Sequence, residues 1–159
     1  MKKRIELIIR VNKQAGSEDF YKKSQELGML AAQSFRGERE SDKQERHRSQ
    51  MTGLENIAET TLKVTDVLDY IKKQTARQKG WQKEVGANGE RFGESLKNYI
   101  ESGLETFVNN VCNGFIDSAI DEGKQQRQEA YLQLIRQLIR QIVVQYEYQV
   151  SQVEERARL

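Results

Sequence analysis

The chain is 159 residues long, 36% hydrophobic and 31% charged, with a formal net charge of +2. That length suffices for one domain with a real core, and the near-neutral balance excludes any inference from net charge to an acidic or basic partner. A lone cysteine, Cys112, and a lone histidine, His47, exclude an internal disulfide, a zinc set and a histidine-based metal cluster; no run approaches the roughly 18 apolar residues of a membrane span.

Proline is absent, and Gln, Lys, Arg, Glu and Leu, all tolerant helix formers, are abundant. The expectation is an all-α bundle of about five helices with no sheet, formed by residues 1–159 as a single domain. The opening MKKRIELIIRVNK has its apolar run broken by Glu6 and Arg10, so a signal peptide is not expected. With Cys112 set among Val108, Val111 and Phe115 as a small hydrophobe, the expected compartment is the cytoplasm.

In chain order, residues 2–14 fit both a strand alternation (Ile5, Leu7, Ile9, Val11) and a helix face (Ile5, Ile8, Ile9); with no partner strand elsewhere, a helix is expected. Ser17 suits an N-cap, followed by Glu18 and Asp19 in the first turn, and Phe20, Leu27, Leu30, Ala31 and Phe35 form the buried side of a second helix. Residues 36–50, RGERESDKQERHRSQ, hold no large apolar side chain and read as a charged linker, with a solvated helix extension as the second reading. Thr52 with Glu55 resembles a capping box, and Leu54, Ile57, Ala58, Thr61, Val64, Leu68, Ile71 and Thr75 continue one helical stripe.

The stretch RQKGWQKEVGANGERFG, 77–93, carries the sole tryptophan and four glycines, and reads as a joint between helices. A further helix is expected from about Glu90 to Ile120, with Gly103 and Gly114 marking close packing or a break and Gly123 a stop. From Lys124 onward, Tyr131, Leu132, Ile135, Leu138, Ile139, Ile142, Val143, Tyr146, Val150 and Val153 form a stripe too wide for one neighbour. That segment is expected to be a long helix touching two or more others.

The sequence gives catalysis little support. GANGERFG is neither a GxGxxG strand–helix unit nor a P-loop, and no Glu-x-x-His pair is present. Acidic pairs at i, i+4 such as Glu55/Glu59 and Asp117/Asp121 read as solvated helix surface. No enzyme activity, metal or cofactor is expected.

Local charge is more telling. Residues 1–23 carry seven Lys/Arg against three acids, about +4, and residues 72–91 six against two, again about +4. In the second zone Lys72, Lys79 and Lys83 would share one arc of a continuing helix, with Lys73 and Arg77 as i, i+4 neighbours on another face and Arg91 beyond. Two readings stand: a helix end matched to its dipole, and a phosphate-backbone site with no means of reading bases. Lys13, Lys22 and Lys23 would contribute secondarily. Trp81 would either stack on a base or plug the core. Along the C-terminal helix Gln133, Gln137, Gln141, Gln145 and Gln149 form a glutamine ridge with Arg136 and Arg140 alongside, which offers an interface to a partner chain at Gln133, Arg136, Gln137, Arg140 and Gln141 or is simply a polar face.

The stretches LKVTDVLDYIKKQTARQKGW (62–81) and YLQLIRQLIRQIVVQYEYQV (131–150), in a small helical chain with basic zones and no catalytic set, resemble the small subunit of type I CRISPR Cascade effector complexes. The resemblance implies a non-catalytic subunit that stabilises the displaced strand and the guide–target duplex through backbone contacts. Its implied partners are the large subunit and guide-RNA backbone subunits, further copies of itself, and DNA and guide RNA, with no membrane. A helical scaffold that binds only protein is the alternative.

Overall fold

The computed structural model describes residues 2–35 and 44–158. Among them the helices are α1 (Lys2–Ala15), α2 (Glu18–Ser34), α3 (Gln44–Thr60), α4 (Val64–Arg77), the single turn α5 (Lys79–Gln82), α6 (Phe92–Asn98), α7 (Glu105–Cys112) and α8 (Asp121–Arg158). The all-α class and the long C-terminal helix are as the sequence implies. At 1.5 Å per residue the 38 residues of α8 span about 57 Å.

α8 is the spine. Leu134, Ile135, Leu138, Ile139 and Ile142 are wholly buried, and α1, α2, α3 and α7 all pack on it. From Leu132 to Tyr146 its apolar stripe is thus covered by helices of its own chain. α2 lies close against α8 at Gly28, where an added Cβ would lie 2.5 Å from Gln145 Cβ and 2.8 Å from the Ile142 carbonyl oxygen. Only glycine lets α2 lie so near the α8 backbone.

Several boundaries differ from the sequence expectation. Residues 44–50, expected as part of a charged linker, form the start of α3, so Thr52 lies inside that helix and caps nothing. The rest of the expected linker, 36–43, lies outside the described residues. The stripe from Leu54 to Thr75 is split at residues 61–63. There the Thr61 hydroxyl donates to Asp66 Oδ2 at 2.7 Å and accepts from the Lys63 N–H at 3.2 Å. Side chain–backbone bonding of this kind competes with helix continuation. Ser17 stands at the N-cap position of α2, but its hydroxyl donates backwards to the Gln14 carbonyl at 2.6 Å.

The single helix expected over 90–120 is also divided. Residues Tyr99–Gly103 form a π-helical turn, closed by the Leu104 N–H on the Tyr99 carbonyl at 2.9 Å. α7 stops at Cys112, and Gly114 follows at φ +69°. Arg10 of α1 donates to the Val111 and Asn113 carbonyls, each at 3.3 Å, and lies 4.5 Å from the centroid of the Phe115 ring. A cation at a helix C-terminus satisfies carbonyls that the helix leaves open. Gly123 falls within the first turn of α8 rather than at a stop. Cys112 is buried, which pushes its thiol pKa up.

The π-turn has an identifiable support, because the Tyr131 hydroxyl of α8 donates to the Ile100 carbonyl. Tyr131→Phe is expected to cost about 1–2 kcal/mol in denaturant unfolding, since the carbonyl loses its partner in a partly buried site. A second expectation concerns alkali. Burial, with Asp19 and Glu26 nearby, pushes the Tyr99 hydroxyl up to about 12; burial also raises Tyr131 and Tyr70. Above pH 10 the unfolded chain loses these protons first, so it binds fewer protons than the native state and stability falls as pH rises from 10 toward 12. Unfolding midpoints measured across that range check the sign.

Candidate nucleic-acid interface

The second basic zone is built from the end of α4, the turn α5 and a small hairpin. α4 buries Val67 and Ile71, which leaves Lys72, Lys73 and Arg77 exposed on its other sides, with Lys79 exposed just beyond. None of these four makes an ion pair among the described residues. The continuous arc of Lys72, Lys79 and Lys83 is not formed, however. α4 ends at Arg77, and Gln78 is extended at ψ 127°.

Beyond α5, Glu84–Val85 (β1) and Glu90–Arg91 (β2) pair antiparallel, with Glu84 opposite Arg91 and Val85 opposite Glu90. The expectation of no sheet is corrected by these two short strands. Gly86 and Gly89, at φ +74° and +63°, make the loop between them, with the Gly89 N–H on the Gly86 carbonyl at 3.3 Å. Left-handed positions at both ends of the loop explain why glycines gather here. Arg91 donates to Glu84 across the hairpin at 2.7 Å, so its charge is already matched.

Trp81 does not belong to this surface. It is 0% exposed, with ring centroids of Phe92 at 5.2 Å, Phe35 at 5.7 Å and Tyr70 at 6.4 Å. Its indole N–H donates to Gln50 Oε1 at 2.9 Å. A ring so enclosed cannot stack on a base, and Trp81 is a core residue that fixes the joint between α4 and α6.

Lys72 and Arg91 line one groove of about 480 Å³ with Thr75, Gln82, Glu94 and Lys97. Lys97 was not singled out in the sequence, where it stands in an acidic stretch. It reaches Glu94 at 3.5 Å and Glu101 at 3.8 Å. The proposed secondary cations are dispersed. Lys13 lies in the last turn of α1, and Lys22 and Lys23 lie in the first half of α2. Lys23 is held by Glu26 at 3.7 Å and by the Tyr99 ring at 5.4 Å. α2 meets both strands of the hairpin near its C-terminal end, where Gln33 lies near Gly86, about 15 Å further along the helix.

Of the five residues expected at a partner interface along the glutamine ridge, four bond within the chain itself. Arg136 donates to the Ala58 and Thr61 carbonyls at 2.7 and 2.9 Å, closing the end of α3. Arg140 forks onto Glu59 at 2.7 and 2.9 Å. Gln137 donates to Asn12 Oδ1 at 3.3 Å and Gln141 to the Ala15 carbonyl at 2.9 Å. Gln133 alone of the five has no hydrogen-bond partner among the described residues.

No protein-family model, curated protein or solved structure matches the chain. No helix among the described residues is long and apolar enough to cross a membrane.

Proposed function

We propose that the chain is a non-catalytic helical subunit that holds nucleic-acid backbone at the hairpin end of α4, as a small subunit of an RNA-guided Cascade complex would. The observation that carries this reading is the cluster Lys72, Lys73, Arg77 and Lys79: four exposed cations with no ion-pair partner among the described residues, at the end of one helix and the start of the next. With Trp81 buried, residues 72–91 present cations without an exposed aromatic ring. Such a surface attracts phosphates and has little with which to distinguish bases. The charges of Arg91 and Lys97, matched by acids, would position the groove rather than supply free charge.

The test has two parts. Affinity for unrelated single-stranded DNA and RNA sequences of equal length should agree within about threefold, since phosphate contacts carry no sequence information. The chain expressed with the proteins encoded beside it should co-purify with a guide RNA and a large subunit. Recovery with proteins alone, and no nucleic-acid affinity, would favour the protein-only scaffold.

A further inference from the structure

Helix α1 carries a second surface that, Lys13 apart, the nucleic-acid reading does not use. Leu7, Val11 and Ala15 are its buried side, yet Ile5, Ile8 and Ile9 are 57%, 43% and 61% exposed. Three isoleucines at i, i+3 and i+4 form a continuous apolar stripe on one helix face.

The neighbourhood of the stripe is defined by contacts that step along α1 and α8 together. Arg4 meets Glu129 at 3.6 Å, Asn12 meets Gln137 at 3.3 Å, and Ala15 meets Gln141 at 2.9 Å. The two helices therefore run side by side in the same direction. Arg4, Ile8 and Asn12 form one i, i+4 ridge, facing Glu129, Gln133 and Gln137 on the other helix. By that register Ile8 stands opposite Gln133, a ridge glutamine with no hydrogen-bond partner among the described residues. Ile5 and Ile9 lie one row further out. At one end the seam opens into a groove of about 500 Å³ lined by Arg4, Leu62, Leu132, Gln133 and Arg136.

We propose that this seam docks an amphipathic helix of a partner protein, with an apolar stripe against Ile5, Ile8 and Ile9 and acidic residues on its flanks. Charge selects the occupant. Lys2 and Lys13 border the stripe, are exposed, and make no ion pair among the described residues; Lys2–Ala15 holds five cations and one acid. An acidic helix meets these cations, whereas α1 of a second copy would set like charges together. An anionic bilayer suits the surface less well, because Gln133 on the seam needs a hydrogen-bonding partner that a hydrocarbon layer lacks. Apolar contacts at helical spacing with charged flanks are how grooves of this kind take up helices.

The site is separate from the α4 cations, and its test does not depend on them. A displayed library of 20-residue helical peptides would be selected on the wild-type protein and counter-selected on Ile5→Asp/Ile9→Asp. Those side chains are solvent-exposed, so the variant should fold, and circular dichroism checks that it does. The expected winners carry a stripe at i, i+3/i+4 with Asp or Glu on its flanks. A synthesised winner should lose affinity at least about tenfold on Ile9→Asp and should weaken on Lys13→Glu. Three results would overturn the proposal: no enrichment that depends on Ile5 and Ile9, winners with neutral or basic flanks, or use of the same isoleucines for self-association or for binding phosphatidylcholine–phosphatidylserine vesicles.

Discussion

Trp81→Ala should destabilise the protein by about 3–5 kcal/mol, the usual cost of emptying a large aromatic site in a packed core. The ring is enclosed by Phe35, Tyr70 and Phe92, and truncation also strands the Gln50 amide that accepts its N–H. For a chain of this size the loss corresponds to a melting temperature lower by roughly 10 °C. Trp81→Phe keeps most of the packing and removes the hydrogen bond, so about 1–3 kcal/mol is expected. Intrinsic fluorescence gives a check before any mutation, because the sole tryptophan should emit at a blue-shifted wavelength and resist quenching by iodide. A Trp81→Ala protein of unchanged stability that had lost nucleic-acid affinity would restore the ring to the binding surface.

Joint replacement of Lys72, Lys73, Arg77 and Lys79 by alanine should have the largest effect on binding. Each cation that neutralises a phosphate releases counterion, and on single strands contributes about 0.7 to the slope of log K against log salt. Removing four should flatten that slope by roughly 3 units and weaken binding at low salt at least about tenfold, for every sequence alike. Their exposure limits the cost in stability to about 0.5 kcal/mol each, slightly more for Arg77 at the end of α4. Replacing Lys13, Lys22 and Lys23 should change the slope less, because these residues are dispersed and Lys23 already has Glu26 and Tyr99 as neighbours.

The helical class could be read from the sequence because periodicity and composition agree along most of the chain, and α8 states its own burial in the spacing from Tyr131 to Tyr146. What could not be read are features decided by contacts between distant residues. The split of α3 from α4 depends on Thr61 bonding Asp66 and on Arg136, 75 residues away, taking the Thr61 carbonyl. The stop of α7 depends on Arg10 reaching across from α1. Residues 44–50 look like linker because their composition is polar, yet Gln50 is positioned beside the Trp81 indole. The glutamine ridge illustrates the same limit. A repeat of four residues predicts a shared face, and only the fold shows that α1 and α3 border it. In the basic zone the residue types were evident, but the turn at Gln78 and the hairpin decided which cations stand together. Two glycines three positions apart, Gly86 and Gly89, were a signal for that hairpin, masked by the short length of the strands.

The central claim is sequence-independent binding of nucleic-acid backbone by a few exposed cations. It is tested most directly by measuring the affinity of the wild-type protein for two unrelated single-stranded DNAs between 50 and 200 mM salt, ranges over which counterion release is pronounced. Two coincident lines with a slope of roughly −3, set by about four phosphate contacts, are expected. Absence of binding at 50 mM salt, a slope near zero, or lines separated by more than about 1 kcal/mol would contradict it.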